Sequence, residues 1–316
     1  MFLANLQFTR LLETQFGFIS LFQDNIGGLL ASAISMICFG FADSLWKIPT
    51  QTMGPVKTIF FRNLFVLILV LPYYFLSNTK HYIAPNAIYA ALGIGIFAYF
   101  GIYFFAKATM TGLTSVVIPV TGTNTLITLL VSIFTLEAEI NWVSAVGITA
   151  TLFGLAMLRF NWRGGKIELV LLKDNGLRFA FLAALFWGIS FAYSYYAVTF
   201  TGPALFTLII ESCILIVSGL HLLIVEKKIS FTSPNLRQSM PIIGLIGFLG
   251  GAGSIFNTIA LDQASINTVT GIVALAPIIS VIFGQAIYGE NLTKQQKIAV
   301  FLIIAGIFTI SYFRYF

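Results

Sequence analysis

The chain has 316 residues and a formal net charge of +6 at pH 7; 58% of its residues are hydrophobic and only 9% are charged. A soluble domain carries about 25% charged residues, so this composition excludes a soluble globular protein and requires lipid to solvate most of the surface. Cys38 and Cys213 both lie inside apolar segments, where thiols act as small hydrophobic groups. We therefore predict an all-α membrane protein with no metal and no other cofactor.

Ten apolar segments of roughly 18–24 residues follow one another along the chain, and each is long enough to cross the bilayer hydrocarbon as a helix. Residues 1–26 mix charged residues with Leu and Phe and lack a cleavage-site pattern, which favours a retained N-terminal segment in the membrane interface. Residues 161–176 form a charged connecting loop. The predicted spans are 27–46, 55–76, 86–107, 113–135, 141–159, 177–199, 203–225, 239–262, 265–288 and 294–314.

The second half of the chain repeats the pattern of the first. TMGPVKTIFF from Thr52 matches FTGPALFTLI from Phe200 at a shift of 148 residues, and TGLTSVVIPVTGTN from Thr111 matches ASINTVTGIVALAP from Ala264 at a shift of 153. Because each repeat holds five spans, an odd number, the second repeat enters the membrane from the opposite side. We therefore predict two inverted five-helix repeats with a solute site near the midplane between them. The repeats are 27–160 and 177–316.

The end of each repeat resembles the EamA signature of the drug/metabolite transporter superfamily. In that signature a glutamate precedes a glycine of the last helix at a characteristic distance, which here is 16 residues from Glu290 to Gly306 and 17 from Glu137 to Gly154. The family's Trp-Gly element is kept at Trp187. The resemblance covers essentially all ten spans. It implies a ten-helix secondary transporter of the cell (inner) membrane with a central cavity, which moves a small solute by alternating access.

We interpret the two signature glutamates, Glu137 and Glu290, as structural. Each stands where one span leads into the next, and a carboxylate there can cap free amides and face the positive end of the following helix. The alternative role is ion coupling. Thr293 and Gln296 have the spacing of a capping box, which predicts that the last helix begins there.

Charged residues inside the spans are the main candidates for a transport site, because an ionised group at mid-bilayer costs about 2.5–3.5 kcal/mol and is retained mainly when paired, hydrated or functional. Asp43 lies four residues before Lys47, so it either forms an intrahelical ion pair or contacts a substrate amine or a proton. Arg62 and Glu211 occupy near-equivalent positions in the two repeats and either pair across the centre or act as gates. For Arg62 the other alternative is snorkelling along a lipid-facing edge.

Aromatic and amide side chains complete the predicted site. Tyr99, Tyr103 and Lys107 follow one another at intervals of four residues and either anchor the helix at the interface or stack on a substrate. Pro119 and Pro277 interrupt corresponding spans and free backbone carbonyls there. Further candidates for substrate contact are Asn124, Trp187, Tyr193, Asn257 and Gln285.

Both charge signs occur in the spans together with many aromatics, which favours a small zwitterionic or amphiphilic metabolite such as an amino acid or amine. The expected partners are this solute and membrane lipid, without nucleic acid; a homodimer stays open. The alternative function is a lipid-modifying membrane enzyme, which would need a catalytic or metal cluster that His81 and His221, far apart in sequence, do not supply. Lys and Arg concentrate in the odd-numbered connections, which predicts that both termini lie outside.

Overall fold

The computed structural model is helical throughout most of its described residues. The predicted interfacial segment at 1–26 and the charged loop at 161–176 fall almost wholly outside those residues. The described ranges are 26–77, 85–136, 142–159, 175–226, 234–264 and 266–313. The helices are α1 (Ile26–Leu45), α2 (Lys47–Met53), α3 (Pro55–Leu76), α4 (Pro85–Thr111), α5 (Thr114–Thr121), α6 (Asn124–Leu136), α7 (Trp142–Arg159), α8 (Asn175–Thr201), α9 (Pro203–Glu226), α10 (Pro234–Gln263), α11 (Ile266–Val273), α12 (Ala276–Tyr288) and α13 (Lys294–Phe313).

These helices form ten passes, because three passes consist of two helices each. A single turn residue, Trp46, separates α1 from α2, and short breaks separate α5 from α6 and α11 from α12. Within the described residues, nine passes have the length and apolar composition of a membrane span, and α7 is a shorter apolar helix. The capping box at the start of α13 is confirmed: the Thr293 amide donates to Gln296 Oε1 at 2.9 Å, and the Gln296 amide donates to Thr293 Oγ1 at 3.2 Å.

Contacts between the two halves occur twice: a contact from the first repeat to the second is matched by one between the corresponding residues of the second repeat and the first. A Cβ on Gly101 of α4 would overlap the Trp187 ring of α8, and a Cβ on Gly253 of α10 would lie 2.8 Å from Phe39 Cε1 of α1. Phe39 and Trp187 are 148 residues apart, as the sequence predicts. Small residues on one helix thus admit a ring from its partner in both halves.

A second pair of contacts fixes the register of the later helices. Thr128 Oγ1 of α6 donates to the Gly188 carbonyl of α8 at 3.0 Å, and Ser280 Oγ of α12 donates to the Gly40 carbonyl of α1 at 3.2 Å. Thr128 and Ser280 are 152 residues apart, so the predicted shift of 153 is wrong by one residue. Asn124 therefore corresponds to Ala276, and not to Pro277 as the shift of 153 predicts. The apolar segments compared are too degenerate to fix the register by themselves.

The order of contacts along each pair of helices gives their directions. On α4 and α8, the Ile94 carbonyl accepts from Ser190 Oγ while Gly101 lies against Trp187, so these two helices are antiparallel. α4 and α8 are the third and sixth passes, and passes an odd number apart have opposite directions, so two halves of five passes each have opposite topology. The prediction of two inverted five-helix repeats is confirmed.

Large apolar side chains such as Phe75, Phe134 and Phe301 are exposed, as expected for a lipid-facing surface. We name the side of the membrane at which α2 ends and α3 begins the basic side, because Lys47 and Lys107 both lie toward it. The chain begins its first pass from the opposite side.

Candidate functional site

The centre of the molecule is marked by a contact between two equivalent residues. Asn63 on α3 and Glu211 on α9 are 148 residues apart, and Asn63 Nδ2 donates to Glu211 Oε2 at 2.8 Å and to the Glu211 carbonyl at 3.1 Å. Residues that a twofold axis relates can touch only at that axis. Inverted repeats are related by an axis in the membrane plane, so this contact marks the level at which the two halves meet.

A buried ion pair lies at this point. Arg62 Nη1 is 3.2 Å from Glu211 Oε2 and donates to Asn63 Oδ1 at 2.8 Å, while Ser254 Oγ of α10 reaches Glu211 Oε1 at 3.4 Å. Arg62 is 7% exposed and Glu211 6%. The two therefore pair across the centre, and the snorkelling alternative for Arg62 is wrong. The guanidinium fits here because Gly250 on α10 leaves room for it.

Two polar groups at this point take no part in the hydrogen bonds of the ion pair. Arg62 Nε is buried and has no hydrogen-bond partner among the described residues. Asp43 on α1 is half-buried and close enough to interact electrostatically with Arg62. The predicted intrahelical pair of Asp43 with Lys47 is wrong, since Lys47 Nζ instead lies 2.9 Å from Glu290 Oε1. Trp46 keeps helical backbone angles (φ −57°, ψ −31°), so the spacing of four alone does not decide the partner of Lys47, and the buried carboxylate of Glu290 holds it instead.

A second cluster joins α4 to α9. The Tyr99 hydroxyl shares a hydrogen bond with His221 Nδ1, and the Tyr103 ring centroid lies 5.1 Å from that of His221. Lys107 Nζ lies 4.8 Å from the Tyr103 centroid and 5.1 Å from the centroid of Phe179. Tyr99 is 1% exposed, so interfacial anchoring is wrong for this tyrosine. These residues could stabilise an anion or relay a proton.

Sequence reasoning did not select His221 as a site residue. A signal was present, because Ile210, Ile214 and Val217 follow one core-facing stripe of α9 and His221 continues it at the spacing of a helix. A polar residue on a core-facing stripe needs a partner, and here Tyr99 supplies it.

The remaining predicted residues are dispersed. Trp187 packs against the backbone of α4, which is a structural contact, while Asn257 is half-buried on α10. Asn124 begins α6, where its Oδ1 accepts from a neighbouring threonine hydroxyl at 3.3 Å. Tyr193 is 38% exposed, and Gln285 is exposed on the outer face of α12. The structure therefore does not bring Gln285 to the central pair.

Glu290 occupies a different position, on the basic side. Its Oε1 accepts from Lys47 Nζ at 2.9 Å and from the Thr114 amide at 2.8 Å, and its Oε2 accepts from the Ser115 amide at 2.8 Å. Burial would raise the pKa of Glu290, but the hydrogen bonds from Ser115, Lys47 and Thr114 hold that pKa below its usual value. Glu290 thus caps free amides as predicted, and these amides belong to α5 of the other repeat. Its predicted counterpart, Glu137, lies outside the described residues.

Comparison with known proteins gives a family. The model of the EamA-like transporter family matches residues 26–160 and 174–312. Among curated proteins none matches this chain in sequence. Of 21 chains of known structure that match, one described as a crystal structure of a protein has a TM-score of 0.58 and 16% identity, over 87% of this chain and 96% of its own. That likeness shows the fold. The chain belongs to the EamA-like transporter family and is a multi-pass membrane transporter of the drug/metabolite transporter type.

Proposed function

We propose that this chain is a secondary transporter that carries a small zwitterionic or amphiphilic metabolite, such as an amino acid or amine, across the inner cell membrane by alternating access. The observation that supports this most directly is the buried pair of Arg62 and Glu211 on the pseudo-twofold axis. An ionised pair at mid-membrane is costly to desolvate, which favours a role in function. In transporters built from inverted repeats, the solute site lies at this level.

The chemistry beside the pair selects the class of solute. Arg62 keeps an unpartnered Nε–H donor within the described structure, and a guanidinium suits a carboxylate. Asp43 has lost its predicted lysine partner to Glu290 and suits an amine. Because Asp43 and Arg62 interact electrostatically, one small solute with an acid and an amine would complement both.

Movement of the solute would be coupled to protons or to exchange against a second solute. The hydrogen-bonded Tyr99 and His221, with Lys107 nearby, supply groups that could take part in proton movement. A pH gradient across reconstituted vesicles separates the two modes, since only proton coupling lets the gradient drive uphill uptake.

The proposal is tested by ligand binding followed by flux. Amino acids, amines and simple carboxylates are screened for a rise in the melting temperature of purified protein, since a ligand that binds only the folded state stabilises it. A zwitterion that raises the melting temperature should also enter proteoliposomes. Asp43→Asn and Arg62→Lys should remove both effects, while Gln285→Leu, on the outer face of α12, should remove neither.

Two results would contradict the proposal. One is binding and flux of only anionic or only cationic solutes. The other is wild-type binding and flux in both Asp43→Asn and Arg62→Lys, which would move the solute site away from the axis.

A further inference from the structure

Most contacts between the two halves occur twice, once for each repeat, but the contact between the fourth and ninth passes, which consist of two helices each, does not. On the basic side α5 packs closely against α12, but within the described structure their counterparts on the opposite side, α11 and α6, make no more than marginal contact. Every residue of α5 is buried. Ile118 on α5 is 3% exposed, whereas its counterpart at the shift of 152, Thr270 on α11, is exposed. The basic side is therefore closed in a way that the opposite side is not.

The last helices of the two repeats, α7 and α13, also pack differently from each other. α13 packs against α5, α6 and α11, while the extensive contact of α7 within the described residues is with α13 alone. If the halves exchanged conformations, α7 would move inward and α13 outward. The structure is thus one of two related arrangements.

Polar contacts join the closed side. The carboxylate of Glu290, with 3% of its side chain exposed, holds Lys47 of α2 and the Thr114 and Ser115 amides of α5; we name these four residues the basic-side latch. The Tyr288 hydroxyl adds a bond to the Ser44 carbonyl at 2.7 Å. The latch therefore links two helices of the first repeat to the end of α12 in the second.

The close approach of these helices depends on a glycine. A Cβ on Gly284 of α12 would overlap Ser115 Oγ and lie 2.7 Å from Glu290 Oε2, so any side chain there would force the latch apart. Closing the latch also leaves a polar group unsatisfied, because Thr114 Oγ1 is buried without a hydrogen-bond partner in the part of the chain described. Water would satisfy that hydroxyl when this side opens. The latch residues are therefore closely packed, but the closed arrangement leaves one buried hydroxyl without a hydrogen bond among the described residues, which destabilises it.

We propose that the basic-side latch is the gate that closes this side of the transporter, and that Glu290 must release Lys47 and the start of α5 each time the basic side opens. This inference rests on alternating access as the proposed function. It assigns to a carboxylate of the family signature a conformational role in addition to helix capping. Its physical basis is that charge-assisted hydrogen bonds to one buried carboxylate hold three helix ends together.

Gate opening can be measured without knowing the solute. A single reporter, Ile118→Cys, is placed in a full-length background from which Cys38 and Cys213 have been removed, and the rate of its reaction with an impermeant maleimide is measured. Glu290→Gln and Lys47→Met should each raise that rate about 10- to 100-fold, the factor corresponding to loss of one or two charge-assisted hydrogen bonds. Both variants keep side-chain size close to that of the original residue.

Two controls separate a gate from a structural cap. Lys297→Met makes the same chemical change on the exposed face of α13 and should leave the rate unchanged. Ile243→Ala opens a cavity in a buried cluster that contains no residue of the latch and lowers the melting temperature, but should not expose Ile118→Cys.

The proposal is overturned if Glu290→Gln lowers the melting temperature and leaves the labelling rate at the wild-type value, or if Ile243→Ala raises that rate equally. No solute is present in this assay. A failed flux experiment would therefore remove the proposed class of solute and leave the labelling result standing, and unchanged labelling would remove the latch without touching the solute class.

Discussion

Replacing Glu211 by Gln should lower the free energy of unfolding of the protein, independently of any effect on transport. The substitution keeps the size of the side chain but leaves the buried Arg62 guanidinium, whose Nε already has no partner in the described structure, without its counter-ion. Removing one member of a buried ion pair costs about 3–5 kcal/mol, because the remaining charge stays desolvated. Asn63 would still donate a bond to the amide oxygen, so we expect the lower end of that range.

The double variant Arg62→Met/Glu211→Met separates the cost of an unpaired charge from the value of the pair. Replacing both ions with apolar groups of similar volume is often neutral or stabilising by about 1–4 kcal/mol. Each single variant of this cycle, Glu211→Met and Arg62→Met, should therefore melt well below the wild type, as should Glu211→Gln. The double variant should recover most of the loss and still fail to transport, since it lacks the guanidinium that we assign to solute binding.

The assay is thermal unfolding of the purified variants in one detergent, with flux measured on the same preparations. The decreases in the free energy of unfolding of Glu211→Met and Arg62→Met, added together, should exceed the decrease in the double variant by at least about 2 kcal/mol. This difference is near the upper end of measured couplings. Strict additivity would refute the reasoning, as would a Glu211→Gln variant that melts like the wild type. Gln285→Leu serves as the control for a polar-to-apolar change outside the core.

Three further predictions concern packing, acid stability and orientation. Gly101→Ala should lower the free energy of unfolding by about 1–3 kcal/mol through overlap with the Trp187 ring, while Gly93→Ala on the same helix, with no atoms near the new Cβ, should not. The pKa of Glu290 is held below its usual 4.5, so its contribution to stability is complete above that pH and is lost as the pH falls below it; Glu290→Gln should abolish this acid sensitivity in a melting series. An impermeant reagent should fail to label Asn235→Cys in intact cells, and labelling there would show that the basic side faces out.

Composition and duplication were enough to predict the ten passes and their inverted arrangement. Lipid admits few spanning structures, so apolar segment length alone predicts helices, and an odd number of spans in each repeat sets the relative direction of the halves. The register is less well determined by the sequence. The shift of 148 is fixed by distinctive residues such as the aromatic pair Phe39 and Trp187, whereas the predicted later shift is wrong by one residue because apolar runs align almost equally well at neighbouring registers.

Side-chain partners could be predicted only where they are close in sequence. The spacing of Asp43 and Lys47 predicted a local pair, but Lys47 pairs with Glu290, which is distant in sequence. The sequence also does not identify the helix that Glu290 caps, because a carboxylate can cap any helix that begins nearby in space, and the sequence shows only the next one. His221 became recognisable as a site residue only when folding brought Tyr99 against it.

The position of the ion pair follows from duplication itself. When two copies of one sequence pack about a twofold axis, the residue on the axis meets its own copy, so two identical glutamates there would repel each other in a desolvated site. This chain has Asn63 on one side and Glu211 on the other, and the neighbouring Arg62 corresponds to Ile210 in the second repeat. The two equivalent positions therefore hold different residues, an amide and a carboxylate, which form a hydrogen bond instead of repelling each other. This difference also makes the site asymmetric, with a cation from only one half, so a solute held there meets different groups as the two halves exchange conformations.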